Sequence, residues 1–458
     1  MKPRLMGLEG DGKATALEKR LGKIASAVMM AIRLRWELGA LHRIAARDAA
    51  ATHVEDQGLS INDIQARPGC RDQQMPVCLE PRHAEARFAS RPASSSIDPI
   101  PKTGEPTGQN RYALYVCPRT HLPLRLSGST LEANANGNGT RPKYEIRAGI
   151  PHFLRYPPVE NGKGWLQLER LNRAAKTKGW RQALEEIYDP GSPQLRYATD
   201  ETRARILDLL PLTNQDVVLE IGTGLGLFTP LIARRVRFVY SLEVVEGQAE
   251  FVATRCRQEG VNNFQIACGG DDCKLPYANE SFKAVILNLV LEWCGDRDRG
   301  RSPLDSQRQL LGEIYRVLEP SGLLYLATKN RYALRILLGG GDGHACGLPF
   351  GSALPRWLLR WLLKIRGKAA PQGMLDSYTH VERMLLSAGF AEATSLWAAP
   401  DMRYPVQYVG TDCDSVRAAR RRPDFVQGET KRTRIVMPRI PASLVKYFTP
   451  GLVFIAKK

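Results

Sequence analysis

The residues with the clearest chemical potential lie in a glycine-rich turn that follows an apolar run. Residues 217–221 are apolar except for Glu220, and glycine follows at Gly222, Gly224 and Gly226. This pattern predicts a buried strand, a tight turn and then a helix. Glycine has no side chain to block a close approach of the backbone to a ligand. The turn therefore predicts a ligand site at the end of the strand.

A second acid completes this predicted site. Glu243 follows Gly222 by about 20 residues and stands at the end of the apolar run 238–242. A carboxylate at the tip of a neighbouring strand can accept hydrogen bonds from both hydroxyl groups of a ribose. We therefore expect a nucleoside cofactor. The glycine spacing is G-x-G-x-G, whereas dinucleotide sites have G-x-G-x-x-G, with the pyrophosphate at the helix N-terminus.

Further segments extend the pattern. Residues 270–277 read Gly-Asp-Asp-Cys-Lys-Leu-Pro-Tyr, and residues 281–288 read Ser-Phe followed by a mostly apolar stretch. Residues 313–322 end in a Pro-Ser-Gly turn, and the apolar run 323–328 follows. Together with the glycine turn, these segments resemble class I S-adenosylmethionine-dependent methyltransferases, in particular the type-11 branch that includes quinone methyltransferases.

The resemblance covers about residues 200–400 and implies a fold, a cofactor and roles for individual residues. The implied fold is α/β, a doubly wound Rossmann-like sheet with helices on both faces. The implied cofactor is S-adenosyl-L-methionine, and the acid before the turn helps to hold its ammonium group. The residues expected to bind it are Glu220, Gly222, Gly224, Gly226, Glu243, Asp271, Asp272 and Asn288. By the same match, Asp271 accepts from the adenine amino group, and the Asp272 backbone lies beside the ring.

A chain of 458 residues is too long for a single domain. Residues 1–109 combine one helical stretch with Pro-, Ser- and Arg-rich sequence, which predicts a largely disordered extension. Residues 110–157 predict a small β-rich module, and residues 158–200 a helical connector. We expect the methyltransferase domain at 201–400 and a basic C-terminal extension at 401–458.

The β-rich module resembles the small zinc-ribbon-derived domains that accompany or activate methyltransferases. Those domains often begin Cys-Pro-x-Cys, but here Cys117 is followed by Thr120 in the second cysteine position. The nine cysteines of the chain contain no C-x-x-C pair. We therefore expect no bound metal and a packing role for Cys117.

Cysteine usage and hydropathy also bear on location. Scattered cysteines and the lack of a secretory signal predict reduced thiols in the cytoplasm. No run approaches the ~18 consecutive apolar residues that a membrane span requires. We expect a cytoplasmic protein, with peripheral attachment to a membrane as the open alternative.

The segment before the first strand of the domain is expected to pack beside the cofactor. Residues 197–210 predict one helix, with Thr199 or Asp200 as its N-cap. In the resembled enzymes such a segment often covers the methionine end, so Tyr197 would touch the cofactor. Packing in the core is the alternative role for this tyrosine.

A glycine-rich loop follows the predicted strand at 323–328, where class I enzymes place substrate-binding insertions. Residues 339–350 contain three consecutive glycines and the pair Asp342 and His344. His344 is a candidate general base for a hydroxyl group, oriented by Asp342, since a histidine titrates near neutral pH. A solvated histidine in a surface loop is the alternative. Methyl transfer itself needs little proton chemistry, and positioning can supply most of the effect.

The segment Leu354 to Arg366 has helical periodicity in both apolar and basic residues. Its apolar stripe comprises Leu354, Trp357, Leu358, Trp361, Leu362 and Ile365. We expect a lid helix that buries this stripe against the domain. The alternative is a helix that lies on an anionic membrane surface or grips a lipid-linked substrate.

The net charge of +18 is unevenly distributed. Residues 351–370 and 431–458 contain several bases and no acid. Such stretches suit phosphate, nucleic acid or anionic lipid, or they form a solvated basic surface.

These observations predict a methyltransferase that acts on a small-molecule, sugar or lipid-linked acceptor, at an oxygen or a simple nitrogen. Residues 288–293 lack the Asp/Asn-Pro-Pro-aromatic sequence of enzymes that methylate exocyclic amino groups of nucleobases. They also lack the Pro-Cys nucleophile needed for cytosine C5, so nucleic acid is not the favoured partner. The alternatives are an RNA or protein methyltransferase, and a cofactor-binding pseudoenzyme that acts as a scaffold.

Overall fold

The computed structural model describes residues 111–134, 141–156, 163–295, 300–368, 373–422 and 430–458. The expected disordered extension, residues 1–109, lies outside the described residues. All the described residues fall within one compact unit.

A four-stranded antiparallel sheet opens the described chain, in the segment predicted to be β-rich. Its strands, each paired with the next, are β1 (Leu124–Ser127), β2 (Thr130–Ala133), β3 (Lys143–Arg147) and β4 (Ile150–Pro151). Just before them, the buried ring of Tyr115 stacks on Tyr277, with centroids 5.3 Å apart, and meets Tyr240 edge-on at 5.9 Å. The Sγ atom of the buried Cys117 lies 3.1 Å from the hydroxyl of Tyr144. Aromatic packing thus holds the small module against the larger domain.

Apolar runs form the central strands of a second, larger sheet. Its strands are β5 (Val217–Ile221), β6 (Phe238–Glu243), β7 (Phe264–Cys268), β8 (Phe282–Asn288), β9 (Leu318–Lys329), β10 (Glu392–Ala399), β11 (Gln407–Gly410) and β12 (Gly451–Lys457). Their order across the sheet is β11-β10-β12-β9-β8-β5-β6-β7. The strands from β9 to β7 in this order are parallel, so their carboxyl ends meet at one edge of the sheet.

Both faces of this sheet are covered. Val217 and Leu219 belong to one buried apolar cluster, whereas Val218 and Val239 belong to another. A parallel sheet needs this double cover, because every residue of its strands is shielded from water. The α-helices of the described chain are Lys163–Lys178, Trp180–Ile187, Pro193–Thr199, Phe228–Ala233, Glu246–Gln258, Pro303–Val317, Leu334–Leu337, Arg356–Ile365, Tyr378–Ala388, Cys413–Arg420 and Lys431–Val436. The predicted α/β fold, a doubly wound sheet with a small β-rich module, is confirmed.

The expected domain boundary at residue 400 is wrong. Strand β12, near the C-terminus, lies between β9 and β10 and is antiparallel to both. Its residues Leu452 and Phe454 are buried in the main apolar cluster. The described residues of the range 401–458 are therefore part of the sheet domain and not an appended extension.

The segment expected to form one helix from Tyr197 to Leu210 is divided at Asp200. This residue ends the helix Pro193–Thr199 and caps a 3₁₀ helix, Glu201–Leu209, by accepting from the backbone N–H of Thr202 at 3.0 Å. Asp200 is thus an N-cap, as predicted, but the single helix was wrong. The extended backbone that a cap residue adopts interrupts the helical turn.

The helix Arg356–Ile365 buries only part of the stripe that its periodicity suggested. Leu362 is buried, whereas Trp357 and Trp361 are 71% and 51% exposed, and Ile365 is exposed as well. The helix packs on the domain through Leu362 together with Leu359 and Leu363, which lie outside the stripe. The expected lid with a buried tryptophan stripe is therefore wrong in this arrangement, because the domain lies against the neighbouring face of the helix.

None of the helices that the structure describes is both long enough and apolar enough to cross a bilayer.

The orientation of this helix predicts unequal effects of two substitutions on stability. Leu363→Ala should lower the free energy of unfolding by about 2–5 kcal/mol, because it opens a cavity where the side chain is 1% exposed. Trp357→Ala should change it by no more than ~0.5 kcal/mol, since that side chain faces water. Urea denaturation of both variants measures the difference. Comparable losses would show that the tryptophan face is buried in solution.

Candidate functional site

The glycine turn after β5 has the backbone geometry that its residue types suggested. Gly222 has a φ of +77°, and a side chain there would clash with Val290, which follows β8. Gly224 has a φ of +55°, but an added Cβ would meet no atom of the described chain within 4 Å. Glycine is thus required at Gly222 by packing, whereas at Gly224 the left-handed backbone faces open space that a ligand can occupy.

Glu220 is a carboxylate buried within the sheet, only 2% exposed. Its Oε2 atom accepts from the hydroxyls of Thr229, at 2.6 Å, and Ser241, at 3.2 Å. Among the described residues, its Oε1 atom has no hydrogen-bond partner. Burial raises the pKa of Glu220 to about 7. An unpartnered buried carboxylate oxygen is suited to accept from a cationic ligand.

A small pocket lies over Glu220. Its lining includes Glu220, Asn288 and Arg203, together with the glycine turn. The Oδ1 atom of Asn288 is also buried and has no partner among the described residues. The remaining lining residues are Tyr197, Ala198, Ile221, Gly222, Thr223, Gly224, Leu225, Leu227, Phe228 and Ile286. The pocket therefore offers two acceptors and one guanidinium, which match the ammonium and carboxylate of an amino acid.

Arg203 also lines this pocket, and it was not among the residues predicted to bind the cofactor. Its guanidinium lies over the ring of Tyr197, 3.5 Å from the centroid, and donates to the backbone oxygens of Tyr197 and Arg403. Arg403 is distant in the chain, so the placement of Arg203 depends on tertiary structure. Its position on the face of a predicted helix beside the site was the only available signal.

Glu243 reaches the same turn from the end of β6. Its Oε2 atom accepts from the backbone N–H of Gly224 at 3.0 Å and from the hydroxyl of Thr223 at 3.3 Å. Its Oε1 atom accepts from the backbone N–H groups of Val244, at 2.8 Å, and Val245, at 3.0 Å. Burial raises the pKa of this carboxyl despite these hydrogen bonds. A carboxylate has about four lone-pair sites, so a ribose hydroxyl must displace one of these donors.

Asp271 ties the loop after β7 to the small module. Its carboxylate accepts from the backbone N–H groups of Arg155, at 3.0 and 3.1 Å, and Tyr156, at 2.8 Å. The neighbouring Asp272 accepts from the backbone N–H of Lys274 at 3.2 Å, and burial raises its pKa. The module therefore ends at the loop that the sequence predicts to bind adenine.

A cavity of about 600 Å³ lies between the module and the domain. It extends from Cys117 to Tyr156 on the module side and reaches Glu246, just after β6. His152 lines it, with Nε2 3.7 Å from a carboxylate oxygen of Glu246. Burial lowers the pKa of His152, while Glu246 opposes this shift. The cavity thus adjoins the predicted adenine end of the site.

Asp342 and His344 are close together, but the hydrogen bond between them runs to the backbone. Oδ1 of Asp342 accepts from the backbone N–H of His344 at 2.8 Å and so caps a 3₁₀ turn. Oδ2 of Asp342 lies 4.0 Å from Nζ of Lys329 and 3.8 Å from a guanidinium nitrogen of Arg335. The buried imidazole of His344 packs on Trp293, with ring centroids 4.3 Å apart. These contacts give Asp342 a role in shaping the loop.

His344 does not line the pocket over Glu220. It lines a separate pocket with Arg331, Ser352, Arg356 and Arg360. Four of the predicted cofactor residues, Glu220, Gly222, Gly224 and Asn288, thus line one pocket, and His344 lines another, whereas Asp342 lines neither. The described residues contain no group of three His, Cys, Asp or Glu side chains placed to hold a metal ion.

Comparison with known proteins identifies relatives of the sheet domain. Residues 219–326 match the family described as "Methyltransferase domain". The chain is 34% identical over 126 residues to the biotin biosynthesis bifunctional protein BioHC of Cellvibrio japonicus, covering 27% of this chain and 22% of that protein. It is 42% identical over 153 residues to protein-L-isoaspartate O-methyltransferase 1 of Polaromonas sp., covering 30% of this chain and 65% of that protein. The chain thus spans less than two thirds of either relative.

One solved structure is also similar to this chain, at a lower sequence identity than the two relatives. Phosphoethanolamine N-methyltransferase 2 of Haemonchus contortus, in complex with S-adenosyl-L-methionine, is 15% identical to this chain. The alignment covers 64% of this chain and 60% of that one, with a TM-score of 0.35.

The pKa of Glu220 predicts a pH dependence of stability in the ligand-free protein. Between its ordinary value of 4.5 and about 7, the folded state holds a proton that the unfolded state has lost. Stability therefore falls as pH rises through this window, by roughly 3 kcal/mol. Glu220→Gln should remove this contribution, so the variant should gain stability relative to wild type between pH 5 and pH 8. Denaturant unfolding at both pH values measures the change.

Glu185→Gln serves as the matched control, since Glu185 is exposed on the helix Trp180–Ile187 and does not line the pocket over Glu220. The free energy of unfolding of this variant should equal that of wild type at both pH values. A difference between Glu220→Gln and wild type that does not vary with pH would contradict the proton held by Glu220.

Proposed function

Because residues 219–326 belong to the methyltransferase domain family, we propose that this chain transfers a methyl group from S-adenosyl-L-methionine to an acceptor. The supporting observation is the pocket that joins the unpartnered oxygens of Glu220 and Asn288 to the guanidinium of Arg203. A zwitterionic amino-acid group requires this pairing of acceptors and a cation. When bound, the cofactor supplies a methyl group on a sulfonium, which is an excellent leaving group.

The chain's own residues bind and orient this cofactor. Glu220 and Asn288 accept from the methionine ammonium group, and Arg203 faces its carboxylate. The backbone of the turn at Gly222 and Gly224 allows the ligand to lie close.

The remaining contacts hold the nucleoside. Glu243 accepts from the ribose in exchange for the hydroxyl of Thr223, which is its longest hydrogen bond, at 3.3 Å. The carboxylate of Asp271 accepts hydrogen bonds from two backbone N–H groups and can accept a further one from the adenine amino group. Holding the methyl in line with the acceptor supplies most of the rate effect in such a reaction.

The acceptor that we propose is a small molecule, a sugar or a lipid-linked compound, methylated at oxygen or a simple nitrogen. This choice follows from the residues after β8, where 288–293 lack the nucleobase motifs. The carboxyl edge of the sheet also carries a second, arginine-lined pocket beyond the cofactor pocket, with room for a substrate group.

Loss of the ribose acceptor tests the cofactor site. Glu243→Ala should weaken S-adenosyl-L-methionine binding by about 1.5–3 kcal/mol, because it removes a charged hydrogen-bond acceptor. Glu250→Ala is the control, since the side chain of Glu250 pairs with Lys176 and does not line the pocket over Glu220. Isothermal titration calorimetry gives both affinities. Tight binding of NAD by wild type, without binding of S-adenosyl-L-methionine, would refute the cofactor.

The reaction itself is tested with cofactor labelled in the methyl group. Wild-type protein is incubated with fractionated cell lipid, glycan, small molecules, RNA and protein. Glu243→Ala, at a cofactor concentration that saturates only wild type, serves as the low-activity control. Label in the lipid, glycan or small-molecule fraction is expected. Label confined to RNA or protein would contradict the acceptor class, and no label in any fraction would contradict methyl transfer.

Attachment to an anionic membrane is a second element of the proposal, and one specific observation favours it. The exposed ridge of Trp357, Trp361 and Ile365 lies beside the basic residues Arg360 and Lys364 on the same helix. Aromatic residues next to basic ones are typical of helices that lie in a membrane interface.

Vesicle binding tests this element. Wild type should sediment with vesicles that contain phosphatidylglycerol, and less so as salt is raised. The double variant Trp357→Ala and Trp361→Ala should bind roughly tenfold or more weakly, since two indole rings no longer enter the interface. Ile435→Ala, which removes an exposed apolar side chain from another basic helix, is the control. Equal binding by the double variant and wild type would contradict the attachment.

A further inference from the structure

Three arginines converge on a pocket of about 70 Å³ at the carboxyl edge of the central sheet. Arg331, Arg356 and Arg360 line this pocket, and Ser352 and His344 complete its polar lining. None of these residues lines the pocket over Glu220 or the cavity beside the small module. This arginine pocket is therefore a separate site.

The charges around the arginine pocket do not balance. Burial lowers the pKa of Arg356, Asp376 acts against this shift, and Arg331 and Arg360 add to it. The carboxylate of Asp376 also lies 2.6 Å from Nδ1 of His380. Among the charges of the described residues that act on Arg356, two guanidinium groups thus stand against one carboxylate. The excess positive charge favours an anion in the pocket.

The pocket also contains hydrogen-bond donors that the described chain does not satisfy. The hydroxyl of Ser352, which is 9% exposed, and the buried Nε of Arg331 have no partner among the described residues. A buried donor without an acceptor is costly, so an acceptor at this place stabilises the fold.

The neighbouring helix adds weaker support. Arg356 begins it directly after Pro355, and no described side chain caps its first N–H groups. Those N–H groups also favour an anion nearby.

We propose that the arginine pocket binds a phosphate group of the methyl acceptor. A guanidinium presents paired N–H donors that match phosphate oxygens, and a phosphate has enough oxygens for several guanidiniums and a hydroxyl. A carboxylate, with two oxygens, satisfies fewer of these donors. The proposal rests on the proposed methyltransferase function, whose acceptor class it narrows to phosphate esters.

The position of the pocket suits an acceptor rather than the cofactor. Arg331 comes shortly after β9, and Asn288, which lines the cofactor pocket, ends the neighbouring parallel strand β8. In parallel sheets, ligands bind beyond the carboxyl ends of such strands. A phosphate held by Arg331 would place the attached group beside the cofactor pocket.

Calorimetry with inorganic phosphate and with glycerol phosphate tests the pocket directly. Arg356→Gln and Arg360→Gln should each weaken binding roughly 10- to 100-fold, because each removes a charged donor. Lys364→Gln is the matched control, since it removes the same charge one turn along the helix but does not line the pocket. Arg360 is exposed, so its variant remains informative if Arg356→Gln fails to fold.

The outcomes separate the proposal from its alternatives. Loss of binding in both arginine variants but not in Lys364→Gln supports a phosphate site. Equal weakening in all three variants would overturn it, since binding would then reflect overall charge. Absence of binding of both phosphate compounds to wild type would overturn it as well.

Two further measurements identify the source of the phosphate and isolate the proposed function. If the phosphate belongs to a lipid headgroup, Arg356→Gln should also weaken binding to phosphatidylglycerol vesicles, whereas a soluble ester leaves vesicle binding unchanged. S-adenosyl-L-methionine affinity should be the same in wild type and Arg356→Gln. Failure of wild type to bind the cofactor would refute the methyltransferase function while leaving the phosphate result to stand alone.

Discussion

The candidate site depends on the parallel register between β5 and β6. This register sets Glu220 opposite Ser241 and Ile221 opposite Leu242. The backbone N–H of Gly222 then donates to the carbonyl of Leu242 at 2.8 Å, which fixes the turn against the end of β6. The next residue, Glu243, consequently reaches the turn. A shift of one residue would reverse which face each side chain occupies and would separate the two acids from the glycine turn.

Burial of these acids is costly, and the fold compensates for the cost unequally. Glu243 receives four donors from the turn and from the start of the following helix, whereas Glu220 receives two and keeps one oxygen unpartnered among the described residues. Glu243 must therefore exchange one of its present donors for a ligand hydroxyl, whereas the unsatisfied buried oxygen of Glu220 can accept from a ligand without such an exchange. At the carboxyl edge of the sheet, the pocket over Glu220 is therefore the place where a bound cation would satisfy a buried oxygen.

The helix Arg356–Ile365 links two other features of the surface. Its leucines pack on the domain, two of its arginines line the arginine pocket, and its tryptophans face outward. A single helix has three such faces because side chains repeat every 3.6 residues. One side of this helix would therefore contact a phosphate-bearing acceptor, and an adjacent side would contact an anionic membrane surface.

Local pattern alone determined the strands β5, β6, β8 and β9, the glycine turn and the acid Glu243, because strand burial and backbone freedom depend on neighbouring residues in the chain. It also predicted Asp200 as a cap. Only the tertiary structure decided that β12 enters the sheet between β9 and β10, and that Arg203 joins the pocket over Glu220. It likewise decided which face of the helix Arg356–Ile365 is buried. These outcomes depend on contacts between residues far apart in the chain, and periodicity cannot say which side a neighbour occupies.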